Sequence, residues 1–240
     1  DAPLYISHTD YSLCRTLVLD TGKPAPEEGI RFYKAAGFPG EAIETYKQRF
    51  GGFGMGVYHM PQSFQRMRGG QTLRIGGRIW RLVEGRGHAP EHICLWSEED
   101  GLMISGDQIL PRISSNVSVH PTEPDANPLQ DWLDSCAAIR ASIPQETLIF
   151  PAHGEPFRGV KTRMTQLIDD HEAGMAKLLD MCREPKRAVD VFPALFRARI
   201  TAGNFGMATG ESLAHLNCLI GRGQIRREAG PDGVNLYRTV

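Results

Sequence analysis

No run of apolar residues in this chain approaches the roughly 18 that a membrane-spanning helix requires, and its opening stretch, DAPLYISHTD, has neither the basic nor the apolar region of a secretory leader. Those absences exclude a spanning helix and make a cytoplasmic protein the expectation. Charge of one sign is also lacking: 27 Lys and Arg stand against 28 Asp and Glu, a net charge of −1 with neutral His. The overall electrostatic footprint of a nucleic-acid or anionic-membrane binder is therefore missing, although a local basic patch stays open. The five cysteines, Cys14, Cys94, Cys136, Cys182 and Cys218, are odd in number, widely spaced and never in a C-x-x-C pair. That pattern argues against a disulfide framework and against a cysteine zinc site, and predicts reduced thiols buried as small apolar groups. Internal repeats and low-complexity tracts are absent, which removes solenoid and disordered readings.

What is present is a 240-residue chain, 41% hydrophobic and 23% charged, long enough for one large domain or two unequal ones. Residues 3 to 7 read as a strand and Asp10 to Leu19 as a helix capped by Thr9 or Asp10. Two helical patches follow, Glu27 to Ala36 and Gly40 to Arg49, whose aromatics (Phe32, Tyr33, Tyr46, Phe50) read first as buried helix faces and second as the wall of a pocket over residues 27 to 65. From Gln71 to Leu110 the pattern turns to short β-like runs, 72–75, 79–84, 92–96 and 101–105, punctuated by Gly76-Gly77 and by Glu98-Glu99-Asp100-Gly101. A meander is predicted. Helical periodicity returns over Leu129 to Ile143, a short buried strand is expected at Thr147 to Pro151, and Arg158 to Arg183 reads as a long amphipathic helix.

Three short segments carry donor residues where a strand runs into a loop: Gly87-His88-Ala89-Pro90-Glu91-His92, Ser105-Gly106-Asp107, and Pro151-Ala152-His153-Gly154-Glu155-Pro156. Loops at strand ends let a rigid sheet aim side chains into a cleft, and neutral imidazole and carboxylate suit zinc, manganese or iron without an unusual pKa. Gly87, Gly106 and Gly154 would let the backbone turn tightly beside each donor. A single His or Asp at a strand end is usually a hydrogen-bonded polar residue, so the weight falls on the three together.

Their order resembles the metallo-β-lactamase superfamily, in particular its glyoxalase-II-like hydrolases, where G-H-x-x-x-H, G-D and G-H-G segments follow one another. The resemblance implies an α/β fold, the αββα sandwich of that superfamily, over residues 1–183. It makes His88 a ligand of one metal, Asp107 the catalytic carboxylate bridging two, and His153 a ligand of the second, with His92 in support. Arg112, in the Gln108-Ile109-Leu110-Pro111-Arg112 stretch, becomes a candidate for substrate contact. The implied cofactor is a pair of zinc ions, with manganese or iron as alternatives. The implied chemistry is attack of a metal-bound hydroxide on a small ester, thioester or lactone. The superfamily's H-x-H-x-D-H motif has no counterpart among the other histidines, His8, His59, His120, His171 and His215. The sandwich is thus expected to be incomplete at its N-terminus, with activity requiring an upstream segment that carries that motif.

Residues 184–240 change character. Ala188 to Phe196 and Gly210 to Gly221 read as helices, and Gly223 to Tyr237 as two strands about Pro231-Asp232-Gly233, an order that resembles the winged-helix extension found on a subset of these hydrolases. Arg222, Arg226 and Arg227 form a small basic cluster, but the second helix offers only Glu211 and His215 as charged or titratable groups. DNA-reading helices present Arg, Lys, Asn or Gln to base edges. The expectation is therefore a packing or dimerising extension rather than a nucleic-acid binder, a small-molecule substrate, no membrane partner, and a homodimer as the default assembly. Two further readings stay open: phosphodiester hydrolysis of the nuclease type, and a non-catalytic winged-helix regulatory protein on a remnant hydrolase scaffold.

Overall fold

The computed structural model describes residues 2–57 and 59–240. Asp1 and Tyr58, the latter inside the 27–65 stretch, lie outside the described residues. In chain order the elements are β1 (Tyr5–Ile6), α1 (His8–Leu19), α2 (Glu27–Ala36), α3 (Gly40–Arg49), β2 (Gln65–Arg66), β3 (Thr72–Ile75), β4 (Arg78–Gly85), β5 (His92–Ser97), β6 (Leu102–Gly106), α4 (Pro128–Ser142), β7 (Leu148–Pro151), α5 (Val160–Met181), α6 (Phe192–Leu195), α7 (Phe205–Gly221), β8 (Ile225–Ala229) and β9 (Asn235–Thr239). Two compact units interleave along the chain. The first holds Asp1–Thr16, His59–Asn116 and Gln130–Asp170, and the second Leu17–Tyr58, Val117–Leu129 and His171–Val240.

The first unit is built on a five-stranded sheet in the order β3-β4-β5-β6-β7. β3 to β6 form the predicted antiparallel meander, and β7 joins β6 in parallel. Gly76 and Gly77, at φ 59° and 81°, make the two-residue turn between paired Ile75 and Arg78; positive φ at both positions is the type I′ geometry, whose twist matches that of the flanking strands. A parallel partner needs a crossover, and α4 lies in the segment between β6 and β7.

The cross-strand row Trp96, Met103, Ile149 is buried, as are Trp132, Leu133, Cys136 and Ile139 of α4 and Val160, Met164 and Leu167 of α5. These side chains form the unit's core, each worth about 1.5–3 kcal/mol of apolar burial. The row on the other face, Leu95, Ile104, Phe150, is open: Ile104 is 44% and Phe150 37% exposed. This apolar row runs across β5, β6 and the edge strand β7.

In this unit α1 begins at His8, two residues earlier than expected, because Ser7 supplies the cap: its Oγ accepts the Asp10 N–H at 3.3 Å. The pair β1–β2 is parallel, and β2 had no signal in the sequence because two residues are too short for a period.

In the second unit α2 carries Glu27 and Glu28 in its first turn and stops at Gly37, in the left-handed region at φ 97°, whose N–H bonds back to the last turn. Tyr33, Phe38, Tyr46 and Phe205 pack ring against ring and border a cavity of about 450 Å³. The centre of the unit is α7, buried at nearly every position from Ala208 to Leu219, Ser212, His215 and Asn217 included. The expected helix Ala188 to Phe196 is instead a 3₁₀ turn, Ala188–Val191, followed by the single α turn of α6. Pro193 near the start of α6 and the extended Phe196 at its end confine it to four residues. β8 and β9 pair as the predicted hairpin, with Asp232 at positive φ in its turn.

Candidate metal centre

The topology of the first unit explains how donors from three distant segments meet. β5 runs antiparallel to β6, and β7 runs parallel to it. The loop that enters β5 and the loops that leave β6 and β7 therefore lie at one end of the sheet. His88 sits on the first, Asp107 on the second and His153 on the third. The neighbouring glycines have the expected positive φ: Gly87 99°, Gly106 53° and Gly154 85°. Gly106 matters twice, because a Cβ there would also lie 2.6 Å from His92 Nε2.

Asp107 is the hinge of the cluster. Its Oδ2 is 3.6 Å from His88 Nε2, and its Oδ1 is 3.4 Å from His153 Nε2. Oδ1 is buried and makes no hydrogen bond. The His88 Nδ1 lies 2.8 Å from the carbonyl oxygen of Asn116. A carbonyl only accepts, so Nδ1 carries a proton, and in the neutral ring the Nε2 lone pair points at the carboxylate. With a neutral ring, two acceptors face each other across 3.6 Å beside a buried carboxylate oxygen that makes no hydrogen bond, an arrangement a cation relieves. The Asp107 carbonyl is in turn held by the Ser115 hydroxyl.

The donor chemistry fits a divalent metal with nitrogen and oxygen ligands, and the second nitrogen of His88 is anchored as ligand imidazoles are. The three donors do not by themselves close around one point. Among the described residues no group of three or more His, Cys, Asp or Glu side chains is arranged to hold a metal ion. His153 is also largely exposed, its side chain at 68%.

His92 turns inward, its Nε2 donating to the Ser105 carbonyl at 3.1 Å. Burial holds its pKa below the ordinary imidazole value, with the Ser105 bond opposing. Arg112 is exposed on the loop after Asp107. Sequence reasoning missed the supports of the His88 loop. The Thr9 N–H donates to the Glu91 carboxylate at 3.3 Å, and the Glu91 N–H to Asp10 Oδ1 at 3.2 Å. Thus Thr9 and Asp10 prop the loop that bears His88. A reciprocal cap of such long range leaves no local spacing to detect. The cysteines are free, and four of the five are buried; burial pushes the Cys94 thiol up to about 12.

An α/β sheet with His, Asp and His converging at one end defines a class. Residues 20–153, more than half of the chain, match the family described as "Metallo-beta-lactamase superfamily", and residues 175–240 match "Metallo-beta-lactamase-like, C-terminal domain". The chain belongs to the metallo-β-lactamase superfamily.

Among solved structures it is similar to a β-lactamase domain protein from Burkholderia ambifaria, with 36% identity and a TM-score of 0.88 over 100% of this chain and 67% of that one. It is similar also to a metallo-β-lactamase family protein from Thermus thermophilus, at 25% identity and a TM-score of 0.78 over 100% of this chain and 72% of that one. Among curated proteins, the Bacillus subtilis (strain 168) protein named "Probable metallo-hydrolase YqjP" is 32% identical over 58% of this chain and 44% of its own length. An "Atrochrysone carboxyl ACP thioesterase" of Aspergillus fumigatus is 30% identical over 44% of this chain and 23% of its own length. The chain spans less than half the length of these curated relatives.

Proposed function

We propose that the protein is a metal-dependent hydrolase in which His88, Asp107 and His153 supply part of a two-metal site, zinc foremost, that acts on a small ester, thioester or lactone. The observation that carries this reading is the Asp107 carboxylate between two imidazoles, one oxygen buried without a hydrogen bond and the other facing a lone pair of His88. His88, Asp107 and His153 would hold the metal, with one Asp107 oxygen toward each imidazole. A bound metal of this kind acidifies water and polarises a carbonyl. The chain's own residues do the rest: Asn116 fixes the His88 tautomer, Glu91 and Asp10 hold its loop, and exposed Arg112 is available to an anionic part of the substrate. The thioesterase name of one relative favours thioesters within the class.

The reading requires more donors than these three. The open row Leu95, Ile104, Phe150 supports a further layer of the same polypeptide packed there, since this chain accounts for only 67% of the Burkholderia structure. We read residues 184–240 as a winged-helix-like packing extension. Each arginine of its basic cluster is ion-paired: Arg222 with Glu172, Arg226 with Glu228 and Arg227 with Asp125. With α7 buried along its length, neither a reading helix nor a free cationic rim supports nucleic acid as the partner.

The test is metal analysis and turnover on the full-length natural protein. About two zinc ions per chain, with hydrolysis of acyl thioesters or lactones that falls at least about 100-fold in Asp107→Asn, is the expected result. Metal-loaded protein with no hydrolysis across an ester, thioester and lactone panel would overturn it.

A further inference from the structure

The loop after Asp107 runs from Gln108 to Asn116 without helix or strand, yet it has two jobs. It begins at the carboxylate, and it ends at the carbonyl that selects the His88 tautomer. Backbone outside regular structure holds its shape only where its polar groups find partners. Near the carboxylate, the Ser105 hydroxyl donates to the Ile109 carbonyl at 3.0 Å and the Ser115 hydroxyl to that of Asp107. These bonds stay local.

The anchor in the middle comes from α5. Arg163 donates from Nε to the Leu110 carbonyl at 2.7 Å and from Nη2 to the Ile113 carbonyl at 2.9 Å. A guanidinium is a rigid planar fork, so two of its N–H groups on two carbonyls three residues apart fix both their spacing and their plane. The loop is thereby tied to a helix whose Val160 and Met164 are fully buried, and Asn116 lies three residues beyond the second bond.

We propose that Arg163 is a positioning residue for the metal site, holding the 107–116 loop so that the Asn116 carbonyl takes the His88 Nδ1 proton and the Nε2 lone pair faces Asp107. Arg163 touches none of the three donors; it acts through the backbone. The inference rests on reading His88 and Asp107 as metal donors only for its consequence on affinity. Its structural part is independent of that reading.

The experiment uses the full-length protein, stripped of metal by chelator, with ¹⁵N-labelled histidine. The tautomer of His88 is read from its imidazole nitrogens at about pH 8, where an ordinary imidazole is neutral, and zinc affinity is then titrated with zinc chloride. Arg163→Met removes both bonds, Arg163→Lys keeps the charge and can make one, and Arg140→Met removes a neighbouring arginine that bonds Thr165 instead. The expected result is a single Nδ1-protonated His88 in the wild type and in Arg140→Met, and an averaged tautomer in Arg163→Met. Zinc binding should weaken about 10- to 100-fold in Arg163→Met, the usual cost of losing an outer-shell support, with Arg163→Lys between.

An Arg163→Met protein that folds and keeps the Nδ1-protonated His88 overturns the proposal, as does an Arg163→Lys protein identical to wild type in both readouts if Arg163→Met does not fold. A lost tautomer in a protein whose wild type binds no zinc supports the positioning role and removes the metal reading instead.

Discussion

The Nδ1 of His171 lies 3.0 Å from the Nε2 of His215, and the Nδ1 of His215 lies 2.8 Å from the carbonyl oxygen of Glu211. The second contact forces a proton onto His215 Nδ1, which makes its Nε2 the acceptor and His171 the donor. The pair is therefore neutral and directional, a buried polar contact between α5 and α7 inside the second unit.

Acid should loosen that unit. Burial, then the charge of His215, depresses His171 to about 3, and burial depresses His215 to about 4, whereas an unfolded histidine titrates near about 6.5. The folded pair thus binds fewer protons than the unfolded chain, so its stability is full above about pH 6.5 and is lost as pH falls toward the folded values. Roughly 2–3 kcal/mol should be gone at about pH 5.5, at about 1.4 kcal/mol per unit per histidine. Urea midpoints at about pH 7.5 and about pH 5.5, on either side of that titration, measure it. The double replacement His171→Leu with His215→Leu should flatten most of the slope, leaving the smaller shares of His92 and His120, which burial also depresses. Equal midpoints at the two pH values would refute the assignment.

Gly106→Ala should cost about 2 kcal/mol or more. The new methyl meets the imidazole of His92 in a backbone conformation, φ 53°, that disfavours a side chain. Chemical denaturation reads the loss. Gly101, at a similar φ of 62° but with nothing within 4 Å of its Cβ direction, serves as the control and should lose less.

Asp107→Asn should separate folding from metal binding. The buried oxygen without a hydrogen bond is a desolvated acceptor, a penalty of about 1–3 kcal/mol, and an amide can instead donate to the facing lone pair of His88. The metal-free variant should be at least as stable as wild type while zinc affinity collapses by calorimetric titration. A variant clearly less stable without metal would show that the carboxylate serves the fold.

Adjacent residues of β7 should respond oppositely. Ile149→Ala empties a fully buried site and should cost about 2–5 kcal/mol. Phe150→Ser on the open face should change the stability of the 240-residue chain by no more than about 0.5 kcal/mol and raise its solubility. In a longer protein with that face covered, the same change should cost several-fold more. A large loss from Phe150→Ser in the 240-residue chain would mean the face is already packed.

Local residue chemistry sets where the strands of the meander fall, that Gly76-Gly77 turns between two of them, and that His88, Asp107 and His153 each stand where a strand meets a loop beside a glycine. Alternation, turn chemistry and positive φ are set within a few residues, so they can be read within a few residues. That the three loops share one end of a sheet follows instead from long-range pairing: β6 is antiparallel to one neighbour and parallel to the other, the second across the whole of α4. Tertiary structure also decides which residues hold the donors in place. Thr9 and Asp10 meet Glu91 across more than eighty residues, Asn116 meets His88 across 28, and Arg163 meets Leu110 across 53. None of these contacts leaves a period in the chain, since a backbone carbonyl accepts the same hydrogen bond whatever side chain it carries. The helix expected over Ala188 to Phe196 failed for the complementary reason: its apolar spacing was right, but Pro193 and the extended backbone at Phe196 left room for one turn.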